Sequence, residues 1–376
     1  YAQTVETVSW LLRDAVQRQL VSDVPVCSFL SGGIDSSVVT AIASRQLGQE
    51  GVTLNTFSFD FAHNDACFQS NAFQPTRDRP YVDQVLALYP LHHTYLECDE
   101  ATLAGLLGDA VRMKDLPGMT DVDASLLYFC GLVKQHNKVA LTGECADEIF
   151  GGYPWFYRED LLRVDGFPWS PDLSARTALL SDEAIHELHL EEYTRERYRD
   201  TLAQVPLLPE EKAETRRRRE MSYLNLRWFM QTLLDRMDRT SMAWGLEARV
   251  PFADHRIVEY VYNVPWSMKY ENGMEKKLLR DACKDLLPPQ LLYRKKSPYP
   301  KTYSPVYEAL LAERFEQLLA NPQAPVHRFM DRKKAAQFLA QPKDYGKPWF
   351  GQLMAGPQMI AYFLQVNDWM ERYGIS

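Results

Sequence analysis

The chain has 376 residues, enough for roughly two domains or one large domain with an appendage, and 46% of them are hydrophobic, ample for a core. Acidic residues outnumber basic ones, 50 to 42, and the formal charge of −8 disfavours a general nucleic-acid binder. No run of about 18 apolar residues suggests a membrane span, and no basic-then-apolar signal segment opens the chain, so a cytoplasmic protein without membrane contact is expected. The six cysteines (Cys27, Cys67, Cys98, Cys130, Cys145, Cys283) include no CxxC pair, which argues against a zinc knuckle or thioredoxin-like motif and leaves reduced thiols as the simple expectation.

Apolar residues at Val5, Val8, Leu12, Ala15, Val16 and Leu20 predict a helix with one buried face over Thr4–Leu20. VPVCSFL (24–30) is a nearly continuous apolar run, as in a parallel strand covered on both faces. SGGIDSS (31–37) follows, then a helix that stops at Gly48. The alternation continues: strand 53–59, helix 79–89, strand 92–97, helix Asp121–His136 and strand 138–142. Such alternation predicts right-handed βαβ units in an α/β, doubly wound, mostly parallel sheet. The stretch between Phe59 and Arg79 is long, polar and aperiodic, and reads as a mobile loop near the ligand. Beyond residue 153 no strand pattern is evident. A nucleotide-binding core over 1–153 and a mainly helical part over 154–376, sharing one hydrophobic core, are the expected organisation.

SGGIDSS sits between a strand and a helix. Gly32 and Gly33 permit a sharp turn and close approach of a ligand, and the helix start offers free N–H groups to an anion. Ser31, Ser36 and Ser37 add hydroxyls. Asp35 is out of place beside phosphates unless a cation such as Mg²⁺ lies between them. The loop lacks the spacing and lysine of a Walker A motif. In its strand–helix setting it resembles the signature of the ATP pyrophosphatase superfamily, whose members cleave ATP between the α- and β-phosphates and adenylate a substrate.

At the end of the fourth predicted strand stands TGECADEIFGGYPWF (142–156), placed where open α/β sheets bind ligands. Glu144, Asp147 and Glu148 would repel one another unless a cation is shared, so Asp147 is a natural second Mg²⁺ ligand opposite Asp35. With SGGIDSS at 31–37 and GECADEIFGGY at 143–153, the chain resembles the asparagine synthetase family. DRTSMAWGLEARVPFADHRIVEY (238–260) and GMEKKLLRDACKDLLPPQLLYRKK (273–296) extend the match in family order over most of residues 5–300.

The resemblance implies ATP and Mg²⁺ as cofactors, with Ser31, Gly32, Gly33, Asp35, Ser36 and Ser37 holding pyrophosphate and metal. Phe29 and Phe59, at strand ends, would flank the adenine. Gly143 and Glu144 would lie near the adenylate and the attacking nitrogen, and Asp147 would ligate metal. Lys276 and Lys296 match a pair of active-site lysines, and Arg236 an arginine that handles substrate. The lysines also make physical sense alone, because fixed cations stabilise the charge that builds as pyrophosphate departs. The implied reaction adenylates the side-chain carboxylate of L-aspartate and transfers ammonia to give L-asparagine, AMP and pyrophosphate.

The implied partners are these small molecules and a glutaminase domain, which is absent from the chain as given and is expected to have been removed or to lie on another chain; the sequence leaves the oligomeric state open, a homodimer among the arrangements it allows. Two alternatives stay open: a related amide ligase acting on another carboxylate, as in β-lactam synthetase, and a non-catalytic ATP-binding domain. Other signals read as structural. Arg216–Arg219 spread around a solvated, salt-bridged helix, HELH (186–189) lacks a third metal ligand, His92-His93 open a strand, and Trp349, Phe350, Tyr362, Phe363 and Trp369 suit helix packing.

Overall fold

The structure, a computed structural model, describes the chain except for residues 69–75, 172, 298, 301, 303, 341–355 and 376. Five strands form one parallel sheet: β1 (Val26–Phe29), β2 (Leu54–Phe61), β3 (Leu91–Cys98), β4 (Val139–Leu141) and β5 (Glu247–Arg249). Their order is β3-β2-β1-β4-β5. From β1 the chain therefore runs outward to β2 and β3, then crosses back to β4 on the other side. The crevice between the carboxyl ends of β1 and β4 is a topological switch point, the usual ligand position in such sheets.

Alternation along the strands explains the two covered faces. Val26 and Leu141 join α1 (Ala2–Gln19) and α2 (Ile34–Gln49) in one cluster with Val8, Leu12, Val38 and Ile42. Cys27, Phe57 and Ala140 point the other way, onto Leu126, Phe129 and Val133 of the helix Asp121–Lys134 and onto Met237. On α1, Val8, Leu11, Leu12, Ala15 and Val16 are buried, the spacing of one helical face. Ile257, Leu278 and Leu291 complete the first cluster, so residues far beyond 153 pack in the same core as β1. A further cluster joins Phe61 and Leu103 to Leu311, Phe315 and Phe363.

Every predicted strand and helix before residue 153 is present within a few residues of its expected bounds. The helices Glu100–Gly105 and Leu107–Lys114 are additional. β5 corrects the expectation that no strand follows residue 153. It is held at the sheet edge by Glu247 N–H donating to Lys138 O and Thr142 N–H donating to Arg249 O, each 2.9 Å. In the predicted loop after Phe59, β2 continues to Phe61 and a short helix covers Asn64–Cys67, while residues 69–75 lie outside the described residues.

Cys27, Cys98, Cys130, Cys145 and Cys283 are free and buried, and the side chain of Cys67 lies outside the described residues. The arginine run is less solvated than its sequence suggests. Arg217 donates to the carbonyls of Leu162 and Val164, and Arg218 to that of Phe156, while both also pair with glutamates. His93 meets Thr56 Oγ1 at 2.9 Å, and burial holds its ring at about 4, suiting a structural role. Phe363 is buried and Trp369 donates to Asp115 O; Trp349 and Phe350 fall outside the described residues. Among the described residues no helix is long and apolar enough to cross a membrane, and no group of three or more His, Cys, Asp or Glu could hold a metal.

Candidate active site

A cavity of about 260 Å³ opens at the carboxyl ends of β1 and β4. Of the residues expected from sequence, Phe29, Ser31, Gly33, Asp35, Ser36, Phe59, Gly143, Glu144, Asp147, Arg236, Lys276 and Lys296 all line it. Gly32 and Ser37 do not. Gly32 turns the loop with φ +69°, and a Cβ there would lie 2.8 Å from Tyr81 Cβ and Val82 N, so it lets the loop pack against the helix Arg79–Leu88. Ser37 is fully buried in the first turn of α2, and its hydroxyl has no protein partner among the described residues.

The turn at 31–33 is tied by Ser36. Its Oγ lies 3.0 Å from Ser31 Oγ, accepts from Ser31 N–H at 3.1 Å, and donates to Gly33 O at 3.3 Å. Gly143 lies against this turn. A Cβ at 143 would come within 2.5 Å of Ser36 N and 2.9 Å of Asp35 C, so the segment after β4 lies closer to the first turn of α2 than any side chain would allow.

The charged centre joins four residues. Lys276 Nζ lies 2.6 Å from Asp35 Oδ2 and 2.6 Å from Asp147 Oδ1, and Lys296 pairs with the other oxygen of Asp147. Lys276 is 2% exposed and has φ +54°, a left-handed backbone that costs free energy in a non-glycine residue. Cys145, beside Glu144, has φ +75°. Such outliers cluster where a site constrains its backbone.

Burial pushes the Asp35 carboxyl above its ordinary range, against the pull of Lys276. Burial acts on Asp147 in the same direction, yet Lys276 and Lys296 together hold it at about 2. Lys276 is itself raised: burial disfavours its charge, but Asp147 and Asp35 outweigh that. Glu148, pushed up to about 7 by burial and by Asp147, accepts from Tyr153 Oη at 2.5 Å, and the Tyr153 ring lies 4.7 Å below Lys296 Nζ.

Arg236, 4% exposed, donates to Glu144 Oε1 at 2.9 Å. The apolar end of the cavity is aromatic. Phe29 and Phe59 pack on Phe129 at 4.6 and 5.6 Å, and Tyr299 stacks on Phe59 at 6.2 Å. Phe29 closes β1 as expected, whereas β2 runs two residues past Phe59.

Several lining residues escape the sequence reading. Arg294, 6% exposed, donates to Asp78 Oδ1 at 2.5 Å and to Ser31 O at 3.4 Å, so it braces the turn that follows β1. Its signal was its place beside Lys295 and Lys296. Asp78 carried none, since it lies in an aperiodic stretch. Lys295 is exposed, and Lys296 is the lysine paired with Asp147.

Of the carboxylates that line the cavity, Asp35 and Asp147 stand together on either side of Lys276. Asp35 Oδ1 is buried with no hydrogen-bond partner, an acceptor left free beside the turn 31–33. That donor set fits a small hard cation shared with phosphate oxygens.

A family model described as asparagine synthase matches residues 7–371. The chain is 48% identical over 378 residues to glutamine-hydrolysing asparagine synthetase 3 of Bacillus subtilis, across all of this chain and 61% of that protein. It is 28% identical to the glutamine-hydrolysing asparagine synthetase 1 of the same organism, over 79% of this chain and 49% of that protein. It is 27% identical to the amidase chyE of Penicillium rubens, over 79% of this chain and 52% of that protein. The chain thus spans between about half and three fifths of these relatives. A parallel sheet with the SGGIDSS turn at its switch point, paired with a family match over nearly the whole length, places the chain in the asparagine synthase family.

Proposed function

We propose that this chain uses ATP to adenylate the side-chain carboxylate of L-aspartate and passes the acyl group to ammonia, giving L-asparagine, AMP and pyrophosphate. The observation that carries the reading is the bridge Asp35–Lys276–Asp147–Lys296, set at the ends of two adjacent strands. The B. subtilis relative, 48% identical, is named for asparagine synthesis and supports the choice of product.

In the first step a carboxylate oxygen of aspartate bonds to the α-phosphorus, and the bond to the bridging oxygen of the β-phosphate breaks. The turn 31–37 binds the departing pyrophosphate through its N–H and hydroxyl groups. Lys276 stabilises the charge that gathers on it, and Lys296 stabilises the charged intermediate. Asp35 and Asp147 would hold Mg²⁺, which neutralises phosphate charge when bound. In the second step the ammonia nitrogen bonds to the acyl carbon and AMP leaves. Glu144, oriented by Arg236, accepts the proton released from nitrogen. Phe29, Phe59 and Tyr299 form the wall for the adenine.

The ammonia source follows from the relatives' names. Two of them are called glutamine-hydrolysing and are longer than this chain, and we infer that a glutaminase domain supplies ammonia to the cavity. The two parts divided near residue 153 act as one synthetase unit in this reading, because Lys276 and Lys296 come from the second and the phosphate turn from the first.

The test is incubation with ATP, Mg²⁺, ammonium and a panel of amino acids. AMP and asparagine should form in equal amounts with aspartate. Amide formation on a different carboxylic acid would move the chain to another ligase specificity, and absence of AMP release with every acid would overturn the reading.

A further inference from the structure

Arg280 is a fully buried cation in the wall of the cavity, 1% exposed, and it bonds to neither Asp35 nor Asp147. All its bonds go to two short segments. Its Nε donates to Glu275 O at 2.7 Å and one terminal nitrogen to Glu275 Oε1 at 2.6 Å. The other terminal nitrogen donates to the carbonyl of Leu292 and, at 3.2 Å, to that of Arg294. Glu275 immediately precedes Lys276, and Arg294 lies two residues before Lys296. We propose that Arg280 is a positioning residue for the amide-forming reaction: its guanidinium fixes the separation of the Lys276 and Lys296 ammonium groups. This rests on the roles given above to the two lysines.

The physical case has three parts. A guanidinium carries five donors in a rigid plane, so it holds acceptors at set distances where a lysine would not. The backbone of Lys276 is in a costly left-handed conformation, which persists only where the surroundings hold it. The double grip on Glu275, through both its carbonyl and its carboxylate, does so. Finally, the link continues to the substrate side. Arg294, whose carbonyl Arg280 holds, bonds to Ser31 O in the phosphate turn and to Asp78. One buried group thus sets the two lysines relative to each other and to the turn that would hold the leaving group.

The experiment compares wild type, Arg280→Lys, Arg280→Met, Lys296→Ala and the double variants that combine each Arg280 change with Lys296→Ala. AMP release is followed with ATP, Mg²⁺, aspartate and ammonium, and each protein's thermal midpoint is recorded. Displacing a charged group by a fraction of an ångström to an ångström costs up to about a hundredfold, so Arg280→Lys should lower kcat about tenfold to a hundredfold while KM for ATP moves less than about threefold. Groups that act as a unit are non-additive, so in the Lys296→Ala background the same change should cost less than it does in wild type, about threefold to tenfold, the remainder coming from Lys276.

Full multiplication of the two losses, or a kcat for both Arg280 variants equal to wild type, overturns the proposal. Should both variants fail to fold, Glu275→Gln decides it. That change weakens the grip on one segment only, and it must lower kcat non-additively with Lys296→Ala; wild-type kcat or additive loss overturns the proposal. Failure of the underlying reading looks different, since Lys296→Ala alone would then leave AMP release unchanged.

Discussion

Lys276 Nζ stands 2.6 Å from Asp35 Oδ2, an ion pair between residues 241 positions apart in the chain. With Asp147 and Lys296 the group contains two carboxylates and two ammoniums, so it is balanced before any nucleotide enters. In the proposed reaction a metal–nucleotide complex would therefore exchange partners with an existing network.

Asp35→Asn should reduce AMP formation by a hundredfold or more, on the order of the loss seen when one preorganised charged contact is removed. The fold should survive, because Lys276 keeps its pairing with Asp147. Product chromatography and a thermal scan check both halves. Undiminished wild-type turnover in EDTA would count against a metal role for Asp35.

Lys296→Ala should cut the rate by roughly a hundredfold to a thousandfold, about 3–4 kcal/mol of transition-state stabilisation, while ATP affinity falls much less. Lys295→Ala should be nearly silent, because Lys295, although in the cavity wall, is exposed, whereas Lys296 holds Asp147. Steady-state rates and nucleotide titration of the two variants separate the cases. The reverse ranking would withdraw both lysine roles.

Gly143→Ala should press on the phosphate turn. Its Cβ would meet backbone atoms, Ser36 N at 2.5 Å and Asp35 C at 2.9 Å, which cannot rotate away as a side chain would. Overpacking of this kind costs about 1–3 kcal/mol. Denaturant unfolding should show that loss, and KM for ATP should rise. Unchanged values for both would mean that the turn is free to move.

Lys269, 5% exposed, is lowered to about 7 by burial and secondarily by Arg219. Among the described residues no carboxylate lies within ion-pair distance of it. Its folded pKa is depressed, so between about 7 and its ordinary 10.5 the unfolded chain binds the extra proton, and its contribution to stability rises with pH. Lys269→Met should therefore stabilise the protein most near pH 6, by on the order of a few kcal/mol, with the gain shrinking toward pH 10. Unfolding curves of both proteins across that range test it. A gain independent of pH would mean that Lys269 keeps its ordinary pKa in the folded chain.

The parts of this structure that were legible in the sequence share a local cause. Runs such as VPVCSF and the alternation of TLNTFSF announce strands because the pleat and the two covered faces demand them. SGGIDSS and GECADEIFGGY were readable because turn glycines and carboxylates stand in unbroken segments. β5 was not readable: it has three residues, two of them charged, and exists only because β4 offers an edge. The bond from Lys276 to Asp35 was equally invisible, since only the fold brings those positions together. The sequence places a cation between Asp35 and Asp147, and in the structure a lysine already occupies that relation. Arg294 and Asp78 were missed for the same reason, being partners 216 residues apart.

The position of β5 also bears on how the protein is made. β4 has β1 on one side and waits for Glu247–Arg249 on the other, so the sheet stays open-edged while about a hundred intervening residues emerge from the ribosome at roughly 5–20 residues per second. Parallel pairing over such a separation raises contact order and slows folding. During those seconds the nascent chain exposes an unpaired strand edge and two carboxylates that still lack their lysines. An unpaired strand edge is a template for association with other chains, so slow synthesis lengthens the interval in which β4 is open to it.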